Sequence, residues 1–474
     1  MEREIESKRE DISIISIRDR LVKDGLYSTV SSDNNRWRIS TEPFFLSRDE
    51  VELLERLGDY CLLFYKASNR LYYESISGKQ PEWAAEYLDI GKPDTIVEYG
   101  RMKRFRRDIP HIIRPDIILT DDGIIVTELD SVPGGIGITS ALSREYDNLR
   151  YNIVGDSMGM VKGFADMIRD TADNNRPVLA IVVSDESRDY MPEMKSLGRD
   201  LNEEGLITYT IEPKDLHFSE ECLYLHDMNK KVPVHLLYRF FELFDLKNIP
   251  KSELIMYSAK KRRIKVTPPF KAFLEEKMLF FLFHHPMLRE FWMKELGDEA
   301  FSCLQGIIPG TWLLDPVDIP PYAVIPDLMI GDRPVNDWRQ LFSCTQKERL
   351  FVIKPSGFSE LAWGSRGVFI GHDISQNEWS DTIDTALRDF SVRPYILQEF
   401  HKGKRVRMRY YDFDTHIFRN MQGRVRLSPY YFVIDGKARL SGILATICPD
   451  DKKIIHGMAD AIMSPCAIKG GNDI

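Results

Sequence analysis

The residues best suited to chemistry lie in one run, Arg114-Pro-Asp116-Ile-Ile-Leu-Thr-Asp-Asp-Gly-Ile-Ile-Val-Thr-Glu128-Leu-Asp130-Ser-Val-Pro133-Gly134-Gly135. Two apolar β-type stretches flank Thr-Asp-Asp-Gly, which is hairpin chemistry. Strand alternation puts Glu128 and Asp130 on one face. A three-residue loop at Asp121–Gly123 with Gly123 left-handed sets Asp116 opposite Glu128, so three carboxylates are expected to converge beside Arg114. Crowded carboxylates repel and call for a cation, and hard oxygen ligands suit Mg²⁺ with phosphate oxygens and water. The plainer alternative is a surface hairpin whose acids face water.

A second run, Phe351-Val-Ile-Lys354-Pro-Ser-Gly357-Phe-Ser-Glu-Leu-Ala-Trp363-Gly364-Ser-Arg366-Gly367-Val-Phe-Ile-Gly371, delivers a lysine from a buried strand into a loop of small residues. Gly364 and Gly367 let backbone N–H groups approach an anion, and Lys354 adds a point charge. The P-loop pattern GxxxxGK[ST] is absent. An ordinary hairpin is the competing reading. Gly135-x-Gly137 fails as a dinucleotide loop, because Ser140 stands where the third glycine belongs and the acids precede the turn.

Taken in order, Arg-x-Asp, a hairpin, Glu-x-Asp and Pro-Gly resemble the metal-binding end of ATP-grasp enzymes, as in D-alanine–D-alanine ligase. The resemblance implies ATP and Mg²⁺ as cofactors, Asp116, Glu128 and Asp130 as metal ligands, and Arg114 as the group that stabilises charge during phosphoryl transfer. Asp130 replaces the usual asparagine. Pro394-Tyr-Ile-Leu-Gln398-Glu399-Phe400 resembles the strand that borders adenine, with Lys354, Gly364 and Gly367 on the phosphates. Lys277, in Phe273-Leu-Glu-Glu-Lys277, matches the earlier nucleotide lysine of the fold or is a plain helix-surface lysine. Here the acids precede the lysines, an order that resembles the circularly permuted ATP-grasp group with its glutathionylspermidine synthetase-like proteins. The implied activity joins a small-molecule carboxylate to an amine through an acyl phosphate. A kinase on the same scaffold and a non-catalytic ATP-binding protein are the alternatives.

The elements that must hold these residues divide the chain into four. Residues 1–90 read as helical, with Ser47 and Glu50 at capping-box spacing before Val51, Leu54, Leu57, Cys61 and Phe64. Residues 91–150 carry the hairpin. Residues 151–265 alternate strand and helix as a Rossmann-like unit, where a pre-ATP-grasp domain is expected. Residues 266–474 open with one apolar helix over KAFLEEKMLFFLF and hold the lysine strand and its loop. The fold class is therefore α/β (α+β), a circularly permuted ATP-grasp fold.

The remaining signals are weaker. Arg405, Arg407 and Arg409 share a strand face and either grip an anion, balance the acids or meet solvent. His456 reads as structural. The 474 residues carry a formal charge of −9, which argues against a nucleic-acid partner. Six cysteines lack any CxxC pair, so neither zinc nor a disulfide framework is expected. The N-terminus is charged and no apolar run matches a membrane span, so a cytoplasmic address with no membrane partner is expected.

Overall fold

The computed structural model describes residues 2–29, 37–317, 320, 323–362, 364, 366–452, 454–455 and 460–470. His456, and the loop residues Trp363 and Ser365, lie outside the described residues.

The helix Arg48–Ile76 starts at a reciprocal cap: Ser47 Oγ accepts the Glu50 N–H at 3.2 Å, and the Glu50 carboxylate accepts the Ser47 N–H at 2.7 Å. Its predicted stripe, Val51, Leu54, Leu57, Cys61 and Phe64, is buried. The stripe packs on an eight-stranded sheet. Gly58 permits the close approach, since a Cβ there would stand 2.4 Å from the Tyr431 ring.

In space this sheet runs Arg38–Ile39, Ile462–Ile468, Lys437–Pro449, Ile417–Ile434, Ile112–Leu119 and Ile124–Asp130; Phe44–Leu46 joins Ile462–Ile468, and Arg405–Asp412 joins Ile417–Ile434. The hairpin at 112–130 thus forms one edge of a sheet whose other strands come from both ends of the described chain. On the face away from Arg48–Ile76, Phe432 and Leu444 bury against Leu142 and Phe164 of the helices Ile136–Asn148 and Gly159–Ala172.

A four-stranded parallel sheet, ordered Lys265–Thr267, Leu236–Phe240, Leu179–Val183 and Thr208–Ile211, matches the expected strand–helix alternation. Its Leu179–Val183 strand is buried along its whole length, as a sheet covered on both faces requires. An antiparallel sheet ordered Thr311–Leu313, Tyr395–Glu399, Phe351–Pro355 and Phe369–Ile370 carries Lys354 and is backed by the helix Gln376–Arg388 through Trp379.

One element departs from expectation. The apolar stretch after Pro269 is not a single helix: a short 3₁₀ turn, Ala272–Glu275, is followed by the helix Leu279–His284, with Lys277 in the break. The break is held from outside, because the Lys277 N–H donates to Ser356 O at 2.8 Å and the Met278 N–H to Ser356 Oγ at 2.9 Å. Tertiary hydrogen bonds here override helical propensity. All six cysteines are free. No helix among the described residues is long and apolar enough to cross a membrane.

Candidate active site

The hairpin reaches the expected pairing by an unexpected route. Asp116 lies opposite Glu128 and Arg114 opposite Asp130. The turn, however, spans Thr120–Gly123, with the Thr120 N–H donating to Gly123 O at 2.8 Å. That longer turn pairs Ile117 with Val126, and a bulge at Thr127 then shifts the register by one. Thr127 Oγ1 donates to Asp116 O at 3.1 Å and fixes the bulge.

The three acids share a face but do not converge. Arg114 reaches both Asp116, at 3.1 Å, and Asp130, at 2.9 Å. Asp116 also meets Arg426 at 3.2 Å and accepts from Ser428 Oγ at 3.1 Å. Glu128 pairs with Lys277 at 2.8 Å. Cations are interleaved between the acids, and among the described residues no group of three His, Cys, Asp or Glu side chains gathers closely enough to hold a metal ion. Mutual repulsion is relieved by arginine and lysine rather than by clustering. Asp116, engaged on both oxygens and 7% exposed, is an anchor for two arginines. Glu128 and Asp130, with side chains 32% and 27% exposed, line the cavity, although Asp130 too is engaged on both oxygens, by Arg114 and by the Val132 N–H at 2.8 Å.

The charge states follow from these neighbours. Burial pushes the Asp116 carboxyl up, but Arg114, Arg426 and Ser428 outweigh it and hold it below the ordinary value. Asp130 is pushed up, chiefly by burial, with Arg114 opposing and Glu128 adding to the rise.

Lys354 projects from its strand to donate to Thr127 O at 2.8 Å, which ties the lysine strand to the hairpin bulge. Burial pulls its pKa down to about 8, with Glu128 opposing and Lys277 reinforcing the fall. Lys277 goes the other way: burial disfavours its ammonium, but Glu128 and nearby carboxylates raise its pKa above the ordinary lysine value. Lys277 Nζ also donates to Ala362 O, at 2.8 Å, on the loop after Lys354. Within that loop Gly364 takes a φ of +64°, open to glycine at no steric cost, and Gly367 presses against Leu361 O and Pro355. Arg114, Glu128, Lys277, Lys354, Gly364 and Arg426 border one cavity of about 490 Å³.

The strand predicted to border adenine is only partly suited to that task. Gln398 is buried and donates to Thr311 Oγ1 at 3.1 Å. The Glu399 N–H donates to Gly310 O at 2.8 Å and the Phe400 N–H to Leu350 O at 3.0 Å, so neither is free for a base edge. The pairing of Lys354 with Ile396 and of Phe351 with Glu399 puts Glu399 on the sheet face opposite Lys354. The Phe400 ring meets His372 edge-on at 4.4 Å. Arg405, Arg407 and Arg409 also stand away from the cavity; Arg405 pairs with Asp450 at 3.2 Å and Arg409 covers the Phe418 ring.

With this geometry in hand, the fold can be compared with known structures. A glutathione synthetase-like effector from Globodera pallida, solved in its apo form, is similar over 96% of this chain and 96% of its own, with a TM-score of 0.57 and 13% identity. The two share a fold. A protein from Methylobacillus flagellatus named as a gamma-glutamylcysteine synthetase covers 81% of this chain and 87% of its own, at a TM-score of 0.41 and 12% identity. No family model matches the chain, and no curated protein matches it by sequence. A mixed α/β architecture with several sheets, like that of a glutathione synthetase-like protein, accords with an ATP-grasp-like fold.

Several contributors escaped the sequence reading. Arg426 and Ser428 alternate on the strand beside the hairpin, and that spacing was their only signal. Glu193 accepts the Gly137 N–H at 2.9 Å at the start of the helix Ile136–Asn148. A carboxylate thus occupies the helix terminus where a dinucleotide pyrophosphate would sit. Burial raises the Glu193 pKa to about 7, although backbone N–H groups of Gly137, Gly135 and Ile138 oppose the rise. Gly135, at φ +91°, lets Tyr430 Oη reach Gly134 O at 2.7 Å.

Proposed function

We propose that the chain is an ATP- and Mg²⁺-dependent ligase that joins a small-molecule carboxylate to an amine on a circularly permuted ATP-grasp fold. In this reading residues 91–150 and 266–474 supply the two parts of the ATP-grasp unit, residues 151–265 the pre-ATP-grasp domain, and residues 1–90 a helical region. The observation that carries it is the meeting of two lysines and a carboxylate hairpin, far apart in sequence, around one cavity: Lys277 on Glu128 and Lys354 on Thr127, each at 2.8 Å.

The donor chemistry fits the groups implied. Two lysines and the amides near Gly364 suit a polyphosphate. Glu128 and Asp130, hard oxygen donors on the cavity wall paired with Lys277 and Arg114, are the residues that would hold Mg²⁺. Bound there, the ion would neutralise charge on the phosphate oxygens. Lys354 and Lys277 hold the phosphates. Arg114 and Arg426, both held by Asp116, face the charge that develops on the transferring group. The acceptor carboxylate oxygen attacks the γ-phosphorus and ADP leaves; the amine then attacks the acyl carbon, phosphate leaves, and the amine proton passes to solvent or a cavity base.

The test is phosphate release by the full chain with ATP and Mg²⁺, screened over amino acids, short peptides and polyamines. A ligase releases phosphate only when both acceptor and amine are present. A stable phosphorylated acceptor in the absence of amine overturns the ligase reading.

A further inference from the structure

A second cavity, of about 530 Å³, lies apart from the one just described and shares no described lining residue with it. Its walls are aromatic. Trp83 stands 5.7 Å from Tyr87 and 4.6 Å from His285, ring centre to ring centre. Trp312 and Trp338 complete the enclosure, and their N–H groups are already used, on Pro326 O and Asp315 O, each at 2.8 Å. They offer the cavity ring faces rather than donors.

The charged groups on this cavity have one sign. Asp315, Asp327 and Glu399 line it, and no lysine or arginine does among the described residues. Glu399 is held below the ordinary carboxylate value, first by the neighbouring His401 ring and also by the Gly310 N–H at 3.0 Å. Burial lowers the pKa of His284 and His285, which disfavours their charged forms. His401 Nε2 stands 3.8 Å from Glu399 Oε2.

Aromatic faces attract cations through their quadrupoles, and the Glu399 carboxylate, its side chain 47% exposed, adds a Coulomb term screened by solvent. A cavity of this volume takes a drug-sized ligand. We infer that this cavity binds an organic cation, an amine or quaternary ammonium with an apolar body, whose charge lies toward Glu399 and whose body lies between Trp83 and Trp312. Because Glu399 and Lys354 occupy opposite faces of their sheet, the cation is not the amine of the proposed ligase reaction. It is a separate ligand.

Phenethylammonium and 3-phenylpropanoate, similar in shape and opposite in charge, are titrated into the full chain and followed by tryptophan emission and calorimetry, with and without ATP. The expected result is one-to-one binding of the cation, at least tenfold weaker binding of the anion, and no effect of ATP. Trp83→Leu and Glu399→Gln each weaken the cation at least fivefold; glutamine keeps an acceptor for the Gly310 N–H, so the fold is retained. Absence of cation binding, equal affinity for both probes, displacement by ATP, or unchanged affinity in both variants would overturn the assignment. None of these readouts depends on ligase activity.

Discussion

Lys92 and Glu276 form an ion pair of 2.6 Å in which each side chain is only 1% exposed. Glu276 also accepts from Ser356 Oγ and, at 3.2 Å, from the Phe358 N–H. One carboxylate therefore ties the linker before the helix Asp94–Arg101 to the neighbour of Lys277 and to the loop after Lys354. Glu276→Ala leaves a buried ammonium and two donors unpaired, and we expect a loss of about 3–5 kcal/mol. Urea unfolding measures it. Replacing both residues by Met costs less than the sum of the single changes; a loss under about 1 kcal/mol for Glu276→Ala contradicts the role given to the pair.

Lys354 gives the proposed nucleotide site a pH dependence. With its pKa at about 8, the ammonium that holds phosphate is present below that value and is lost above it. ATP affinity should therefore fall as pH rises through about 8, by up to about tenfold per unit until the pKa of the bound state is reached. Arginine stays charged across this range, so Lys354→Arg flattens the profile, and Lys354→Ala weakens binding throughout. Calorimetry from about pH 7 to about pH 9.5 tests it. A flat wild-type profile removes Lys354 from the phosphates.

Glu128→Gln separates turnover from affinity. The substitution removes a hard anionic ligand and the charge opposite Lys277, whereas Lys354 and the loop amides remain. Phosphate release should fall at least about a hundredfold, with a smaller change in ATP binding. Wild-type turnover in this variant would sink the metal-site proposal.

Gly135 and Gly306 make a contrasting pair. A Cβ at Gly135 would stand 2.3 Å from Tyr430 Oη on a backbone with φ +91°, whereas Gly306, in the helix Asp298–Ile307, has nothing within 4 Å. Gly135→Ala should cost about 1–3 kcal/mol through overpacking and strain. Gly306→Ala should stabilise by about 0.4–1 kcal/mol. Thermal melts of both variants decide the point, and equal shifts would contradict the steric account.

What could be read from the chain was local. The Ser47–Glu50 cap and the strand–helix alternation after residue 177 follow from short-range spacing, and both appear in the fold. The register of the hairpin was expected for the wrong turn; a bulge at Thr127 compensates, and no propensity signals a bulge that a distant lysine helps to hold. The break at Lys277 was hidden for the same reason, since it depends on Ser356. Convergence of the acids was overstated because Arg426 reaches Asp116 only once a strand from the far end of the chain is in place. The occupied N–H groups at Glu399 and Phe400 depend likewise on Gly310 and Leu350.

That late strand has a consequence for synthesis. The strand Ile112–Leu119 has Ile417–Ile434 as its neighbour, which leaves the ribosome roughly three hundred residues later, some 15–60 s at ordinary elongation rates. Until then the hairpin presents a row of unpaired N–H and C=O groups on an isoleucine-rich edge, the kind of surface that templates aggregation. Arg114 and Asp116 interrupt that edge with charge, and Pro115 removes one of its donors. The nascent chain thus carries its own protection at the segment that must wait longest for its partner.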